Sequence, residues 1–144
     1  MAQLGAAKWL EYKGMTMPIS YEVDRTKRQV RTIVIGPVTP DDIVNHLKAA
    51  CQEETLAYAE LIDACGATPP ILSPADIWQA ASRVRNMEFD RRSLGPRAVV
   101  VNNLPMFGMT RMFVTLMSDL FPMNVFQDVK AAEDWLMERA GWKP

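Results

Sequence analysis

The sequence has few of the residue types that build reactive sites. Its 144 residues include one histidine and two cysteines, too few for a disulfide framework or a four-ligand zinc site. Lysine and arginine number 16 against 17 aspartates and glutamates, and this balance argues against a dedicated nucleic-acid binder, which is normally basic. No apolar run approaches the roughly 20 residues that span a bilayer, so no transmembrane segment is expected.

The amino-terminal residues have neither the basic region nor the continuous apolar segment of a signal peptide, so we expect a cytoplasmic location. Cys51 and Cys65 are then expected to be reduced thiols, one on a helix face and one in a loop. Residues 1–18 lack clean periodicity and are predicted to be an extension: a frayed helix, a docking arm or a loose segment. A single domain is predicted over residues 19–144, with an ordinary globular content of 49% hydrophobic residues.

Periodicity and helix-start signals divide this domain into alternating strands and helices. Thr39-Pro40-Asp41-Asp42 and Ser73-Pro74-Ala75-Asp76 each combine a capping hydroxyl with proline at the first helical position, so each predicts the start of a helix. Asp128 caps a last helix that ends at Gly141. A third helix is predicted over residues 105–120, and the strands are predicted at residues 19–24, 30–35, 59–63, 98–101 and 125–126.

The predicted order of elements is β-β-α-β-α-β-α-β-α. Strands that alternate with helices pair in parallel through right-handed crossovers, whereas two strands joined by a short turn pair antiparallel. The first strand alternates apolar and polar residues, as an edge strand with one wet face does. The sequence therefore predicts an α/β fold with a mixed five-stranded sheet and an antiparallel N-terminal edge strand.

Short motifs in this order resemble those of the SpoIIAA-like, or STAS-like, domain family, and especially its uncharacterised bacterial members. The resemblance covers about residues 19–140, and it is the order and spacing of the motifs that indicate it. The motifs are Gly36-Pro37-Val38-Thr39-Pro40-Asp41-Asp42, Leu61-Ile62-Asp63, Arg97-Ala98-Val99-Val100-Val101, Phe107-Gly108-Met109-Thr110-Arg111-Met112-Phe113, and Val125-Phe126-Gln127-Asp128 with Ala131-Ala132 and Trp135-Leu136.

The resemblance implies a protein that is not an enzyme. Some proteins of this fold antagonise anti-sigma factors and are switched by serine phosphorylation, others regulate anion transporters, and the related CRAL-TRIO group binds lipids in an apolar cavity. The phosphorylated turn of the antagonists has the form Asp-Ser-Ser-Gly, whereas this chain has Asp63-Ala64-Cys65-Gly66. Ser73 is the nearest hydroxyl by position in the fold. It is predicted to be a helix cap, with a phosphorylation site as the alternative.

Local spacing indicates no catalytic residue, no metal site and no cofactor. A nucleophile needs an adjacent base, and His46, the one histidine, lies in a predicted helix beside its apolar stripe with no serine or cysteine at a matching spacing. No glycine-rich phosphate-binding pattern follows a strand. His46 is therefore predicted to have a structural or surface role.

The third helix is the most informative segment for function. Its apolar residues cover roughly 220°, wider than the stripe of somewhat over 100° that a typical surface helix buries. The sheet, the neighbouring helices and the N-terminal extension could cover all of it. Alternatively, it is an exposed ridge whose flexible methionines adapt to a partner. On that interpretation the candidate interaction residues are Met106, Met109, Arg111, Met112, Phe113 and Met117.

Basic residues gather around the second helix and the loop after it. Glu88 and Asp90 are interleaved with them, which favours a solvated face over a binding site for anions or an acidic partner. The basic residues are Arg83, Arg85, Arg91, Arg92 and Arg97.

Two hypotheses for function follow from the sequence, ahead of a third, an enzyme, for which no local motif is present. The first is a non-enzymatic regulatory domain that contacts a protein partner or forms a homodimer through the third helix. The second is a carrier that holds a lipid or acyl chain in an apolar cavity between the third helix and the sheet.

Overall fold

A computed structural model of the protein describes residues 18–144, so the predicted extension, apart from Pro18, lies outside the described residues. These residues form five strands and four α-helices in the predicted order, with a single 3₁₀ turn at Arg91–Ser93. The strands are β1 (Ile19–Asp24), β2 (Gln29–Gly36), β3 (Ala59–Ala67), β4 (Arg97–Val100) and β5 (Met123–Phe126). The helices are α1 (Pro40–Gln52), α2 (Pro74–Arg85), α3 (Leu104–Met117) and α4 (Val129–Ala140).

The strands form one mixed sheet in the order β1-β2-β3-β4-β5. Strands β1 and β2 pair antiparallel across a short turn, in which the Lys27 N–H donates to Asp24 over 2.9 Å. The pairs β2–β3, β3–β4 and β4–β5 are parallel. The α/β fold with an antiparallel N-terminal edge strand is therefore confirmed.

Helices α1, α2 and α3 lie on one face of the sheet. Each of them connects a strand to the next strand on the same side, so right-handed crossovers place all three on the same face. Their buried residues form one shared layer that includes Val44 of α1, Ile77 of α2 and Met117 of α3. Helix α4 follows the last strand and packs Ala132 and Leu136 on the opposite face.

The helix-start signals operate as predicted. The side chains of Thr39 and Ser73 each accept a hydrogen bond from the backbone N–H three residues later. In return, the side chains of Asp42 and Asp76 accept from the backbone N–H of the capping residue. These reciprocal capping boxes satisfy N–H groups that the first turn of a helix leaves free. Gly141 ends α4 with a φ of 67°, in the left-handed region that favours glycine.

Strand β3 is longer than predicted and ends at Ala67 rather than at residue 63. Its register with β2 shifts between Ile33 and Ile35, after which Gly66 and Ala67 continue the pairing. Cys65 therefore lies in a strand and not in a loop. The periodicity did not indicate this extension because an irregularity in register interrupts the alternation of inward and outward side chains.

Candidate functional site

Helix α3 is more enclosed than the exposed-ridge interpretation requires. Met117 is completely buried and Phe113 is 8% exposed, so in this structure neither side chain can contact a partner. That interpretation is therefore wrong for these two residues, because α2 and the sheet cover the inner side of α3. Met106, Met109 and Met112 are half-buried and Arg111 is exposed, and an interaction role for these four residues stays a prediction.

Ser73 is exposed and caps α2, as predicted. Its hydroxyl oxygen accepts from the N–H of Asp76 over 3.1 Å. This bond accounts for a serine at this position, and phosphorylation of Ser73 stays a prediction.

The predicted basic face divides into paired surface arginines and one buried arginine. Arg83 pairs with Asp41 at the surface, and Arg85 pairs with Asp119. Arg97, by contrast, is 3% exposed, so its assignment to a solvated face is wrong. It lies in β4 opposite Glu60 of β3, in a layer that helices cover.

Glu60 and Arg97 form the centre of a buried polar cluster, completed by Thr32 and His46. Glu60 is 3% exposed, and its Oε2 accepts from the Thr32 hydroxyl over 2.6 Å and lies 2.6 Å from His46 Nε2. Its Oε1 lies 3.2 Å from Arg97 Nε. Arg97 also donates through Nη1 to the Gly95 carbonyl over 2.7 Å. The polar cluster thus joins β2, α1, β3 and β4.

The partners of Glu60 keep it ionised although it is buried. Burial alone would raise the pKa of Glu60, but the His46 ring, the Arg97 guanidinium and the Thr32 hydroxyl together lower it to about 2. Burial lowers the pKa of Arg97, and the neighbouring Glu60 carboxylate opposes that shift. The cluster therefore holds a charged pair inside the protein.

An apolar cavity of about 150 Å³ adjoins the polar cluster, between the sheet and the three helices. Thr32, His46, Glu60 and Arg97 belong to its wall, and Thr110 of α3 is the other polar residue that lines it. The rest of the lining is aliphatic or aromatic. Its apolar residues include Val34, Ile62 and Val99 from the sheet and Leu47, Ile77 and Phe113 from the helices. We call this space the inner cavity.

A second space, of about 180 Å³, lies between β1 and the first half of α1. We call it the outer cleft. Its polar lining includes Tyr21, Asp42, Asn45 and His46. The Tyr21 hydroxyl donates a hydrogen bond to Glu53. The pKa of Tyr21 is raised, chiefly by burial and secondly by this hydrogen bond. The Tyr21 ring also meets the His46 ring edge-on, with centroids 5.4 Å apart.

In the polar cluster, Glu60 holds the His46 ring in place, as a carboxylate holds the histidine base of a catalytic triad, but no nucleophile accompanies it in the described part of the chain. Among residues 18–144, no serine or cysteine hydrogen-bonds His46, whose Nε2 is engaged by Glu60. Nor does that part of the chain hold a group of three histidine, cysteine or carboxylate side chains that could bind a metal ion. Burial and Asp63 raise the pKa of Cys65, which disfavours its reactive thiolate. Within residues 18–144, the polar cluster therefore contains no hydrogen-bonded pair of nucleophile and base.

Sequence reasoning missed the polar cluster, although one signal for it was present. Glu60 stands inside the otherwise apolar start of a predicted strand, and a buried carboxylate needs a partner. Its partner Arg97 occupies the matching register position of the next strand. That pairing becomes visible only when the sheet register is known.

The fold has a counterpart among solved structures. A crystal structure of an uncharacterised protein of the DUF3478 family from Shewanella loihica PV-4, described as having a SpoIIAA-like fold, matches this chain with a TM-score of 0.52. The two sequences are 19% identical, and the match covers 82% of this chain and 93% of that one. No family model matches the sequence, and no curated protein is detectably similar to it. This chain therefore has a SpoIIAA-like fold. Separately, no helix in the described part of the chain is long and apolar enough to cross a membrane.

Proposed function

We propose that this SpoIIAA-like domain is a non-enzymatic, cytoplasmic binding protein that holds a small apolar molecule in the inner cavity. The observation that supports this proposal most directly is a space of about 150 Å³ whose lining is apolar except for the polar cluster and Thr110. An apolar cavity of about that size stays dry and can bind benzene. A cavity lined by Met106, Thr110 and Phe113 of α3 together with residues of the sheet supports the second hypothesis drawn from the sequence.

Filling the inner cavity is expected to abolish ligand binding. Ala64 is 7% exposed and lines the cavity, so Ala64→Leu adds a larger side chain to the space. Benzene is the probe, and binding is measured by the shifts of the Val34 and Val99 methyl signals in NMR spectra. The wild-type protein is expected to show saturable shifts, and Ala64→Leu is expected to show at least a tenfold loss of affinity.

The exposed Ala75 provides a matched control, because Ala75→Leu adds the same atoms on the surface at the start of α2. This variant is expected to bind benzene as the wild type does. The proposal fails if saturating benzene leaves the methyl signals of the wild-type protein unchanged. It also fails if a folded Ala64→Leu variant still binds benzene with wild-type affinity.

A second candidate function is self-association through the N-terminal ends of α2 and α3. A shallow cleft of about 50 Å³ lies there, lined by Ile71, Met106 and Met109 among others. Leu104, at the start of α3, is 73% exposed, and Trp78 on α2 is 58% exposed. Contiguous exposed apolar surface is typical of interaction sites, and Ile71 is both 36% exposed and part of the lining of this cleft. This observation supports a narrower surface than the ridge expected from the sequence.

Leu104→Glu tests self-association without disturbing the core. If two copies meet at this surface, the buried glutamate is expected to lower the fraction of dimer at least tenfold in native mass spectrometry. Met137→Glu is the matched control, because Met137 is 57% exposed on α4, on the opposite face of the sheet. A monomeric wild-type protein, or equal dimer fractions in the two variants, argues against this candidate.

A further inference from the structure

The inner cavity and the outer cleft share two wall residues. Ile19 of β1 and His46 of α1 line both spaces, so these two side chains form the partition between them. The His46 side chain is 12% exposed, with its Nε2 turned toward Glu60 in the wall of the inner cavity. No other residue lines both spaces among those the structure describes.

From this shared wall we infer that the two spaces are halves of one binding site for an uncharged amphiphile. The apolar tail of the ligand occupies the inner cavity, and a neutral hydrogen-bonding head such as a hydroxyl occupies the outer cleft. This inference rests on the proposed function, because it takes the inner cavity to be a ligand site. It adds the place and the chemical class of the polar head.

The partition can open without leaving a buried charge unpaired. His46 is held by its contact with Glu60 and by the edge-on Tyr21 ring. If the imidazole turns away, Glu60 keeps the Thr32 hydroxyl at 2.6 Å and the Arg97 guanidinium at 3.2 Å. Breaking a buried ion pair outright is costly, but here the ion pair remains intact. In the bipartite site, His46 is the side chain that moves when a ligand spans both spaces.

The lining of the outer cleft favours an uncharged head. It includes the Asp42 carboxylate and the Asn45 side chain, and its described lining has no lysine or arginine to pair with an anion. The Asp42 carboxylate is already engaged in the cap of α1, where its Oδ2 accepts hydrogen bonds from the Thr39 N–H and the Thr39 hydroxyl. Among the described lining residues, an anionic head would therefore meet the Asp42 carboxylate and no lysine or arginine, whereas an amide such as that of Asn45 can both donate to and accept from a hydroxyl.

Three probes separate this inference from the proposed function. Benzene is expected to shift only signals of the inner cavity, such as the Val99 methyls. 1-Octanol is expected to shift these methyls together with the Asn45 side-chain amide and the His46 ring. Octanoate, which has the same chain length as 1-octanol but a charged head, is expected to bind at least tenfold more weakly than 1-octanol.

Asn45→Lys is expected to raise the affinity for octanoate at least tenfold, because it places a cation in the outer cleft. Asn45 is exposed, so the variant should fold, and Asn102→Lys adds the same charge at an exposed position after β4. Asn102→Lys is expected to leave the affinity for octanoate unchanged.

Benzene binding without a response of Asn45 and His46 to 1-octanol overturns the bipartite site and leaves the proposed function intact. Equal affinities of the wild-type protein for 1-octanol and octanoate also overturn it. Loss of benzene binding itself, in contrast, overturns the proposed function.

Discussion

Glu60→Ala is expected to lower the free energy of unfolding by about 3–5 kcal/mol, because it leaves the guanidinium of Arg97 buried without its counter-ion. Arg97 is 3% exposed, so bulk water does not solvate its charge in the folded protein. Thr32 and His46 lose a hydrogen-bond partner at the same time. Urea denaturation followed by circular dichroism measures the change, and Glu88→Ala, at an exposed position, is the control and is expected to stay within about 0.5 kcal/mol of the wild type.

A double variant tests whether the loss comes from the unpaired charge. Replacing both partners by apolar residues, in Glu60→Leu/Arg97→Met, removes the charge that Glu60→Ala leaves alone. We expect the double variant to be at least about 2 kcal/mol more stable than the sum of the two single changes predicts. Additive losses would contradict this account and would show that each side chain stabilises the protein independently.

Most of the fold follows from local features of the sequence. The caps at Thr39 and Ser73, the alternation in the first strand and the apolar run at Val99 each specify their element through nearby residues. The direction of the crossovers then fixes the side of the sheet on which each helix lies. These steps need no knowledge of which side chains meet across the fold.

The inner cavity and the polar cluster depend on contacts between elements that are distant in sequence, so local patterns do not predict them in detail. A wide apolar surface on α3 is compatible with an exposed ridge or with burial, and only the packing of α2 against it shows that Met117 is enclosed. In the same way, Arg97 was grouped with surface arginines by its position in the chain. Its register opposite Glu60 places it in the core.

The polar cluster and the inner cavity have a common structural cause. Thr32, His46, Glu60 and Arg97 interact with one another at one end of the space between sheet and helices. Side chains committed to these directional contacts cannot shift to fill the neighbouring volume as apolar side chains can. Because the aliphatic residues around Val99 do not reach across the remaining gap, a cavity persists beside the polar cluster, in which the buried Arg97 Nε lies 3.2 Å from Glu60 without forming a hydrogen bond. This juxtaposition gives the inner cavity an apolar lining with one polar wall.

Acid is expected to destabilise the protein through Glu60. The pKa of this carboxyl is lowered from an ordinary value of 4.5 to about 2, because the His46 ring, the Arg97 guanidinium and the Thr32 hydroxyl outweigh the effect of burial. A lowered pKa stabilises the folded state above the ordinary value, and this stabilisation is lost as the pH falls from about 4.5 to about 2. The loss amounts to about 3 kcal/mol, at roughly 1.4 kcal/mol for each pH unit.

Glu60→Gln isolates this contribution, because glutamine keeps an oxygen that can accept from the Thr32 hydroxyl but has no carboxyl to protonate. Urea denaturation of both proteins at a series of pH values between 5 and 2 gives the difference between their free energies of unfolding. We expect the wild-type protein to lose about 3 kcal/mol more than the variant over this range. If the two proteins lose stability in parallel, the acid sensitivity arises from other carboxyl groups, and Glu60 is not held ionised by its buried partners.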